Sequence, residues 1–306
     1  MSDVAIVIPA RNAADTVGDA VQSVINAPEV GEVIVVDDGS TDGTAAAAKV
    51  SGDPRIKVLD GPATGISGAL NVGFAAVTLP FIARCDADDW FPGDRLRWQR
   101  AWLNDHPDAI AVSGGFTHVF PNGRIAADLA CRGEPRDVTD VLLNGQPVTH
   151  FCAWLIRTHA LRQTGGAREW FRTAEDIDLQ LRLAEHGHIW HVPKSSYFYR
   201  LHQDSIVHST PKHIINFYDQ QAKLFARQRK LEGIDLLQAG KSPLLPKYEI
   251  SKITRSPANT AIGPLTSDIW EKFNSGKKRF AYYNMYLAII NYPLSLKLWL
   301  IFIKIH

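Results

Sequence analysis

Three carboxylates crowd into the stretch RCDADDW at residues 84–90, directly after an apolar run. At this spacing Asp86, Asp88 and Asp89 repel one another, so in a folded chain they raise each other's pKa or need a cation. A bound cation is therefore one interpretation of the stretch, and the plainer alternative is that its acidic residues favour the N-terminus of a helix.

Two more polar groups follow apolar runs earlier in the chain, PARN at residues 9–12 and DDGSTD at residues 37–42. Either group alone is equally typical of an ordinary loop or a turn with a helix cap. Together with DADD at residues 86–89, however, they place polar side chains after three predicted strands. Because ligands bind outside the carboxyl ends of the strands in an open parallel sheet, the three groups predict one shared binding site.

The apolar runs before these groups predict the strands that must position them. Continuous β-branched runs indicate strands buried on both faces, and here they alternate with helical patterns. We predict strands at 4–8, 32–36, 56–60 and 81–86 and helices at 17–25, 43–50 and 67–77. Such alternation predicts βαβ units in a parallel sheet covered by helices. Farther along we predict strands at 109–115, 151–157, 189–193 and 196–202 and helices at 175–186 and 211–231.

Composition excludes several classes of function. The 33 Lys and Arg residues balance 32 Asp and Glu residues, without the basic excess of a nucleic-acid-binding protein. Three cysteines with no CxxC pair favour a reduced, intracellular protein. The turn IPARNAAD lacks the glycines of a dinucleotide-binding fingerprint, and no P-loop pattern occurs. We expect no secretory signal, because no basic segment precedes a long apolar one at the N-terminus.

An ordered set of motifs in this chain resembles glycosyltransferase family 2. The motifs are VIPARN, VVDDGSTDGT, GISGALNVGFA and CDADD, followed by similar stretches at residues 165–187 and 199–205. The resemblance covers residues 4 to about 205 and implies an α/β fold of the GT-A type, a mostly parallel Rossmann-like sheet flanked by helices. Two residues depart from the family pattern, Ala10 where an aromatic residue is usual and Arg84 where an apolar one is usual.

The same resemblance implies how the chain is divided. Residues 1–115 would bind the nucleotide-sugar donor, and residues 116–235 would form the acceptor-binding and catalytic half of the same domain. Residues 236–306, beyond the matched motifs, are expected to form a helical C-terminal extension.

By resemblance the acidic stretch would hold Mn²⁺ or Mg²⁺ together with the diphosphate of the donor. Asp86 and Asp88 would be ligands of the cation, and His202 would reach the same metal or the diphosphate, with an ordinary strand-end histidine as the plainer reading. Asp38 would accept the N3–H of a uracil-type base, although thymine and guanine offer a similar N–H. The residues expected to line the nucleotide sugar are Pro9, Ala10, Arg11, Asn12, Asp37, Asp38, Gly65, Ser67, Asn71, Arg84, Asp86 and Ala87.

Small and polar residues would form the walls of this site. Gly65, Ser67, Asn71 and Gly73 would cover the ribose and diphosphate, since small residues permit close approach of the backbone, but helix–sheet packing explains them equally well. The glycine pair at residues 165–166 would give the acceptor-side loop conformational freedom.

A second acidic pair, Glu175-Asp176, stands at the start of a predicted helix, where acidic residues also suit the helix dipole. By resemblance Asp176, with Glu175 beside it, would take the proton from an acceptor hydroxyl that attacks the anomeric carbon opposite the diphosphate, inverting its configuration. Asp178 ranks second as a base because Arg182, four residues on, would pair with it. His150 would contact the donor sugar.

The implied function is an inverting, metal-dependent transferase that moves a sugar from a nucleoside diphosphate sugar, a UDP-sugar for preference, to a hydroxyl of a glycan or lipid-linked saccharide in surface-polysaccharide synthesis. Two alternatives stay open. A polyprenyl phosphate acceptor arrives ionised and needs no strong base, and a catalytically silent protein would bind the nucleotide sugar without transferring it.

The C-terminal tail bears on partners and location. Residues 286–306 are apolar, but Pro293, Lys297 and Lys304 interrupt them too often for a bilayer crossing. The mixture of aromatic, aliphatic and Lys residues suits a helix lying in a membrane surface, while packing on the core or against a second copy in a homo-oligomer fits equally well. We therefore expect a cytoplasmic protein, at the inner face of the plasma membrane if the tail binds lipid.

Overall fold

The first half of the chain alternates strands and helices as predicted. The computed structural model describes residues 2–120, 123–129, 133–201, 210–245 and 278–291, together with Ile269, Phe273 and Phe302. The elements of the first half are β1 (Val4–Ala10), α1 (Val17–Ile25), β2 (Val30–Asp37), α2 (Thr44–Ala48), β3 (Ile56–Asp60), α3 (Ile66–Ala76) and β4 (Phe81–Arg84). Every position of β1 is buried, as a continuous β-branched run requires when helices cover both faces of a sheet.

The second half brings in antiparallel strands. Its elements are α4 (Arg95–Asp105), β5 (Ala109–Val119), β6 (Ile125–Asp128), β7 (Arg136–Asp137), α5 (Thr139–Leu143), a 3₁₀ turn (Phe151–Ala153), β8 (Trp154–Arg157), α6 (Thr158–Gln163), α7 (Glu175–Leu183), β9 (His188–Arg200), α8 (Lys212–Glu232) and α9 (Lys278–Asn291). Helix α4 was not predicted, because its strongly polar sequence shows only a weak apolar stripe. The strand predicted at 151–157 begins only at Trp154, since the 3₁₀ turn takes the residues before it.

One sheet joins both halves. Among the described residues it has nine strands in the order β3-β2-β1-β4-β8-β5-β9-β7, with β6 paired to β5. The four strands β3, β2, β1 and β4 are parallel, whereas β8 runs antiparallel between β4 and β5, and β9 is again parallel to β5. The predicted α/β fold with a helix-flanked central sheet is confirmed, and the sheet is parallel in its first half and mixed in its second. The carboxyl ends of β1, β2 and β4 therefore lie side by side.

The last strand corrects one prediction. The strands predicted at 189–193 and 196–202 form a single strand, β9. Pro193 does not end it, because the ladder to β5 shifts register there, from His191 directly to Ser195. The missing N–H of proline thus falls in a bulge, where no ladder hydrogen bond is lost.

A buried ion network holds α7, α8 and the loop before α7 together. Asp178 is wholly buried and is paired with Arg182, 2.8 Å away, and with Arg168 of the loop. Asp235, just after α8, forms salt bridges with Arg168 at 2.7 Å and with Arg229 of α8 at 2.6 Å. Such charges are stable in a low-dielectric interior only when paired, so the network fixes the relative positions of these elements.

Helix α9 packs on the sheet domain. Ala281 and Met285 are buried against Ala127 of β6. Tyr282 and Tyr286 are exposed. Helix α9 thus packs on the core through two residues that precede the predicted tail, and apart from Phe302 the tail beyond residue 291 lies outside the described residues. Across the described residues, no helix combines the length and the apolar character that crossing a bilayer would require.

Candidate active site

Asp38, directly after β2, presents a buried carboxylate oxygen to the sheet edge. The residue is 3% exposed, and its Oδ2 accepts the backbone N–H of Gly65 at 2.9 Å. Its Oδ1 has no hydrogen-bond partner among the described residues. A side chain at residue 61 would crowd this oxygen, because a Cβ on Gly61 would lie 2.8 Å from it. Leaving a buried acceptor unpaired is costly, so this oxygen is suited to accept an N–H from a ligand.

The neighbouring polar residues shape the loops around Asp38. Asp37 accepts the backbone N–H of Ser40 at 2.9 Å. Asn12, at a left-handed φ of 50°, accepts the N–H of Thr41 at 2.9 Å and donates its own N–H to Ser40 at 2.9 Å. These bonds join the loop after β1 to the loop after β2. Arg11 is exposed beside them, whereas Pro9 and Ala10 are buried in β1.

The predicted donor wall on α3 is attached to the loop before α7, the loop that was predicted to lie on the acceptor side. The side chain of Asn71 bonds both backbone groups of Ala167, donating to its carbonyl and accepting its N–H at 2.8 Å each. Ser67 donates to the carbonyl of Phe171 at 3.2 Å. Ser67 and Asn71 are thus positioning residues for the loop, a role that the sequence analysis gave to neither. Gly73 allows α3 to pack closely on β1, because a Cβ at this position would lie 2.4 Å from Val7.

The acidic stretch after β4 divides into two kinds of carboxylate. Asp89 is 2% exposed and accepts the Tyr197 hydroxyl at 2.6 Å and the Arg200 N–H at 2.7 Å. Burial raises the pKa of Asp89 well above its usual range, and the neighbouring carboxylates raise it further. Asp89 therefore anchors the stretch to β9. Asp86 and Asp88 are half-buried, which leaves them as the carboxylates suited to a hard divalent cation.

Arg84 joins the acidic stretch to the pair on α7. It was expected to line the nucleotide sugar, but it is 6% exposed and bonds two carboxylates. Its Nε donates to Asp86 Oδ1 at 2.6 Å, and its Nη1 donates to Glu175 Oε1 at 3.0 Å. Although burial acts in the opposite direction, the Arg84 cation holds the pKa of Asp86 below its usual value. The guanidinium is therefore a bridge between the two acidic groups.

The structure separates the acidic residues at the start of α7 by environment. Helix α7 follows Ala174, a residue in the left-handed conformation with a φ of 61°. Glu175 is buried against Arg84, whereas Asp176 is half-buried and so reachable from the site. Burial raises the pKa of both carboxyl groups despite the nearby cation. Asp178, ranked second as a base, is not accessible for that role, because its carboxylate is enclosed by Arg168 and Arg182.

His150 lies beside the acidic stretch, where sequence reasoning expected only a contact with the donor sugar. One ligand atom each of Asp86, His150 and Cys152 lies within 4.8 Å of the other two. The His150 ring stacks on Tyr197, with ring centres 5.5 Å apart. Nothing in the sequence pointed to Cys152 or Tyr197, since both are brought here by chain segments far from residue 86. The predicted metal ligand His202 lies outside the described residues.

Comparison with known proteins identifies the family. Residues 5–165, a little over half of the chain, match the family described as Glycosyl transferase family 2. The succinoglycan biosynthesis protein ExoU of Rhizobium meliloti (strain 1021) is 41% identical over 211 residues, which cover 61% of this chain and 58% of that protein. Chondroitin synthase of Pasteurella multocida (strain Pm70) is 31% identical over 206 residues, which cover 66% of this chain and 21% of that protein.

Solved structures agree on the architecture. A crystal structure of S. aureus TarS in complex with UDP-GlcNAc matches with a TM-score of 0.58 at 16% identity, covering 95% of this chain and 89% of that chain. At this identity the likeness concerns the fold alone, which is of the GT-A type. Since the family match and the ordered motifs run through that same sheet, the chain belongs to glycosyl transferase family 2.

Proposed function

We propose that this chain is an inverting, metal-dependent glycosyltransferase that moves a sugar from a UDP-sugar to a hydroxyl of a glycan or lipid-linked saccharide. The observation that carries the proposal is the Arg84 bridge, which bonds Asp86 of the acidic stretch and Glu175 beside Asp176. The bridge joins Asp86, the proposed cation ligand, to Glu175, the residue before the proposed proton acceptor, and this supports one shared active site. The names of the relatives, a succinoglycan biosynthesis protein and a chondroitin synthase, support a role in surface-polysaccharide synthesis.

Donor binding would depend on the edge formed by β1, β2 and α3. The unpaired Oδ1 of Asp38 is the acceptor for the N3–H of uracil. Pro9 and Ala10 at the end of β1 and Arg11 and Asn12 on the loop after it would line the nucleotide, and Gly65 would complete the wall through its bond to Asp38. The complex of S. aureus TarS with UDP-GlcNAc supports a donor in which the sugar is linked to UDP.

The cation would be Mn²⁺ or Mg²⁺ at Asp86 and Asp88. Their half-buried carboxylates fit such an ion, whose remaining ligands would be diphosphate oxygens. When bound, it would neutralise the charge that develops on the departing nucleoside diphosphate. Arg84 bonds one oxygen of Asp86 and so fixes the orientation of that carboxylate, and Ala87 is the small residue between the two acids.

Asp176 would act as the general base. It takes the proton of the acceptor hydroxyl while that oxygen forms a bond to the anomeric carbon. The bond from that carbon to the diphosphate oxygen breaks at the same time, and its electron pair leaves with UDP. The attack comes from the face opposite the diphosphate and inverts the configuration. The raised pKa of Asp176, which burial causes, makes it a stronger base than an exposed aspartate.

The rest of the chain would serve substrate placement. We assign residues 1–115 to the donor, residues 116–235 to the acceptor and catalysis, and residues 236–306 to a helical extension. Tyr282 and Tyr286 of that extension face away from the packed side of α9 and would touch the inner face of the plasma membrane, close to a lipid-linked acceptor.

Calorimetric titration with UDP, GDP, CDP and dTDP, each with Mn²⁺ and with EDTA, tests the donor site. We expect UDP to bind in Mn²⁺, to bind at least about tenfold more weakly in EDTA, and to lose this dependence on metal in Asp88→Asn. Asp94→Asn, an exposed acid downstream of the stretch, is the matched control and should behave as wild type. Binding that ignores both metal and Asp88 would remove the support for a metal-dependent transferase.

Substitution of the base tests the chemistry. Asp176→Asn keeps the shape of the side chain but cannot accept the proton, so we expect kcat to fall by about 10²–10⁴-fold while UDP affinity stays unchanged. Glu175→Gln is the matched control, since its amide oxygen can still accept a hydrogen bond from Arg84. Nearly intact turnover in Asp176→Asn would favour the polyprenyl phosphate acceptor. UDP-sugar binding without transfer to any acceptor would indicate a catalytically silent binder.

A further inference from the structure

Three side chains of different ligand type meet beside the acidic stretch. Asp86 follows β4, His150 precedes the 3₁₀ turn, and Cys152 lies within that turn. One ligand atom from each lies within 4.8 Å of the other two. Asp86 and His150 are half-buried, whereas Cys152 is fully buried, so the group is closed on one side and reachable on the other.

Contacts with neighbours fix two of the three side chains, His150 and Asp86. The backbone N–H of Cys152 donates to His150 Nδ1 at 3.3 Å, which leaves Nε2 as the other ring nitrogen for a ligand. The ring itself is stacked on Tyr197 at an interplanar angle of 10°. Arg84 orients Asp86 through the bond to its Oδ1. Partners of this kind, which hold metal-binding side chains in place, are typical of built metal sites.

The ligand types select a softer ion than Mg²⁺ or Mn²⁺. A thiolate, an imidazole and a carboxylate are a common set for Zn²⁺, whereas magnesium and manganese sites favour oxygen ligands. A tetrahedral zinc ion holds its ligand atoms about 3.5 Å apart, and the three ligand atoms here all lie within 4.8 Å of one another. Three protein ligands leave the fourth position open. The thiolate and carboxylate charges balance the dication, and the thiol proton passes to solvent on binding.

We propose that the chain binds a thiophilic divalent cation of the Zn²⁺ class at Asp86, His150 and Cys152. Because Asp86 is shared with the proposed Mn²⁺ or Mg²⁺ site, the two ions exclude each other. A zinc-class ion therefore inhibits the transferase by occupying a ligand of its working cation. The binding site stands on the geometry alone, and only the inhibition depends on the proposed function.

Co²⁺ titration of the full chain tests the binding, because a cobalt–thiolate bond gives a charge-transfer absorption that oxygen ligands do not give. We expect one Co²⁺ per chain with this absorption, and Zn²⁺ should displace it. Cys152→Ser should abolish the absorption, and His150→Gln should weaken Co²⁺ binding at least about tenfold, since even outer-shell partners of a metal are worth about 10–100-fold. Cys85→Ser, which removes the other described buried thiol, is the matched control and should keep the absorption.

The outcomes separate the site from the function. Absorption that persists in Cys152→Ser, or Co²⁺ binding without any thiolate absorption, would overturn the site. Wild type and Cys152→Ser should unfold at the same temperature without metal, which excludes a folding defect. In the transfer assay with Mn²⁺, Zn²⁺ should inhibit wild type at least about tenfold more strongly than Cys152→Ser. Equal inhibition of the two proteins would overturn the competition of the two ions for Asp86. A Co²⁺–thiolate site in a chain without transferase activity would contradict only the proposed function.

Discussion

Replacing Arg84 by Met should destabilise the fold strongly, because the side chain is the buried partner of two acids. Its guanidinium bonds Asp86 at 2.6 Å and Glu175 at 3.0 Å, with only 5% of the Arg84 side chain exposed. Removing one partner of a buried ion pair costs about 3–5 kcal/mol, since a charge is left without compensation. Glu175 limits the total, because burial already raises its pKa and it can take up a proton.

We therefore expect Arg84→Met to lower the free energy of unfolding at pH 7 by about 3–5 kcal/mol, a large part of the 5–15 kcal/mol typical of a domain. Urea unfolding followed by tryptophan fluorescence measures it. Arg84→Lys should recover part of the loss, because an ammonium is a point charge that cannot bond both carboxylates in the same fork geometry.

A double-mutant cycle identifies the source of the effect. If the bridge is real, Arg84→Met should cost less in a Glu175→Gln background than in wild type, because the neutral amide no longer needs the cation. The coupling should be at least about 1 kcal/mol. A loss below about 1 kcal/mol for Arg84→Met, or strictly additive effects, would refute the ion bridge as the link between the two acidic groups.

Three further predictions concern pH, the donor base and the tail. Burial lowers the pKa of His118 to about 4, so the group stabilises the fold above its unfolded pKa near 6.5 and this stability is lost as pH falls towards 4. Between pH 7 and pH 4.5 the free energy of unfolding of wild type, measured with urea, should therefore fall by about 2–3 kcal/mol more than that of His118→Phe. An equal fall in the two proteins would contradict this prediction. Asp38→Asn should weaken UDP binding at least about tenfold and CDP binding far less, because an amide can turn an N–H towards the base. Equal losses of affinity for UDP and CDP would contradict a contact between Asp38 and the base. The variant Tyr286→Ser should reduce sedimentation with anionic vesicles at unchanged thermal stability, and unchanged sedimentation would contradict a membrane contact through this residue.

The first half of the fold was predictable because its sequence carries one pattern at a time. The β-branched run of β1 and the run before Asp37 can bury both faces only in a parallel sheet, and the structure has them there. Helix α4 was missed because two of its four buried residues, Arg95 and Gln99, are polar, so Leu96 and Leu103 alone give only a weak hydrophobic period. The single strand β9 was missed because Pro193 normally ends a strand, and only the register shift against β5 allows it.

The candidate site also contains residues that the sequence predicted and residues that it did not. Positions of Asp38, Asp86 and Asp176 follow from motifs at strand and helix ends, which local sequence reports well. The partners of these residues could not be predicted from local sequence, because they are distant along the chain. In the bridge, for example, Glu175 is 91 residues from Arg84. Charge alone left Asp178 as an alternative base, and only its enclosure by arginines removed it.

The Asn71 anchor has a consequence for how acceptor choice can change. It bonds only main-chain atoms of Ala167, so it constrains the path of the loop and says nothing about most side chains along it. Gly166 is the exception, because a Cβ there would lie 2.5 Å from the Asn71 oxygen. Exposed positions such as Glu169 and Arg172 can therefore vary without loosening the loop. If the proposed acceptor role of this loop holds, libraries restricted to these positions should change acceptor specificity while the hydrogen bonds of Asn71 keep the loop in place.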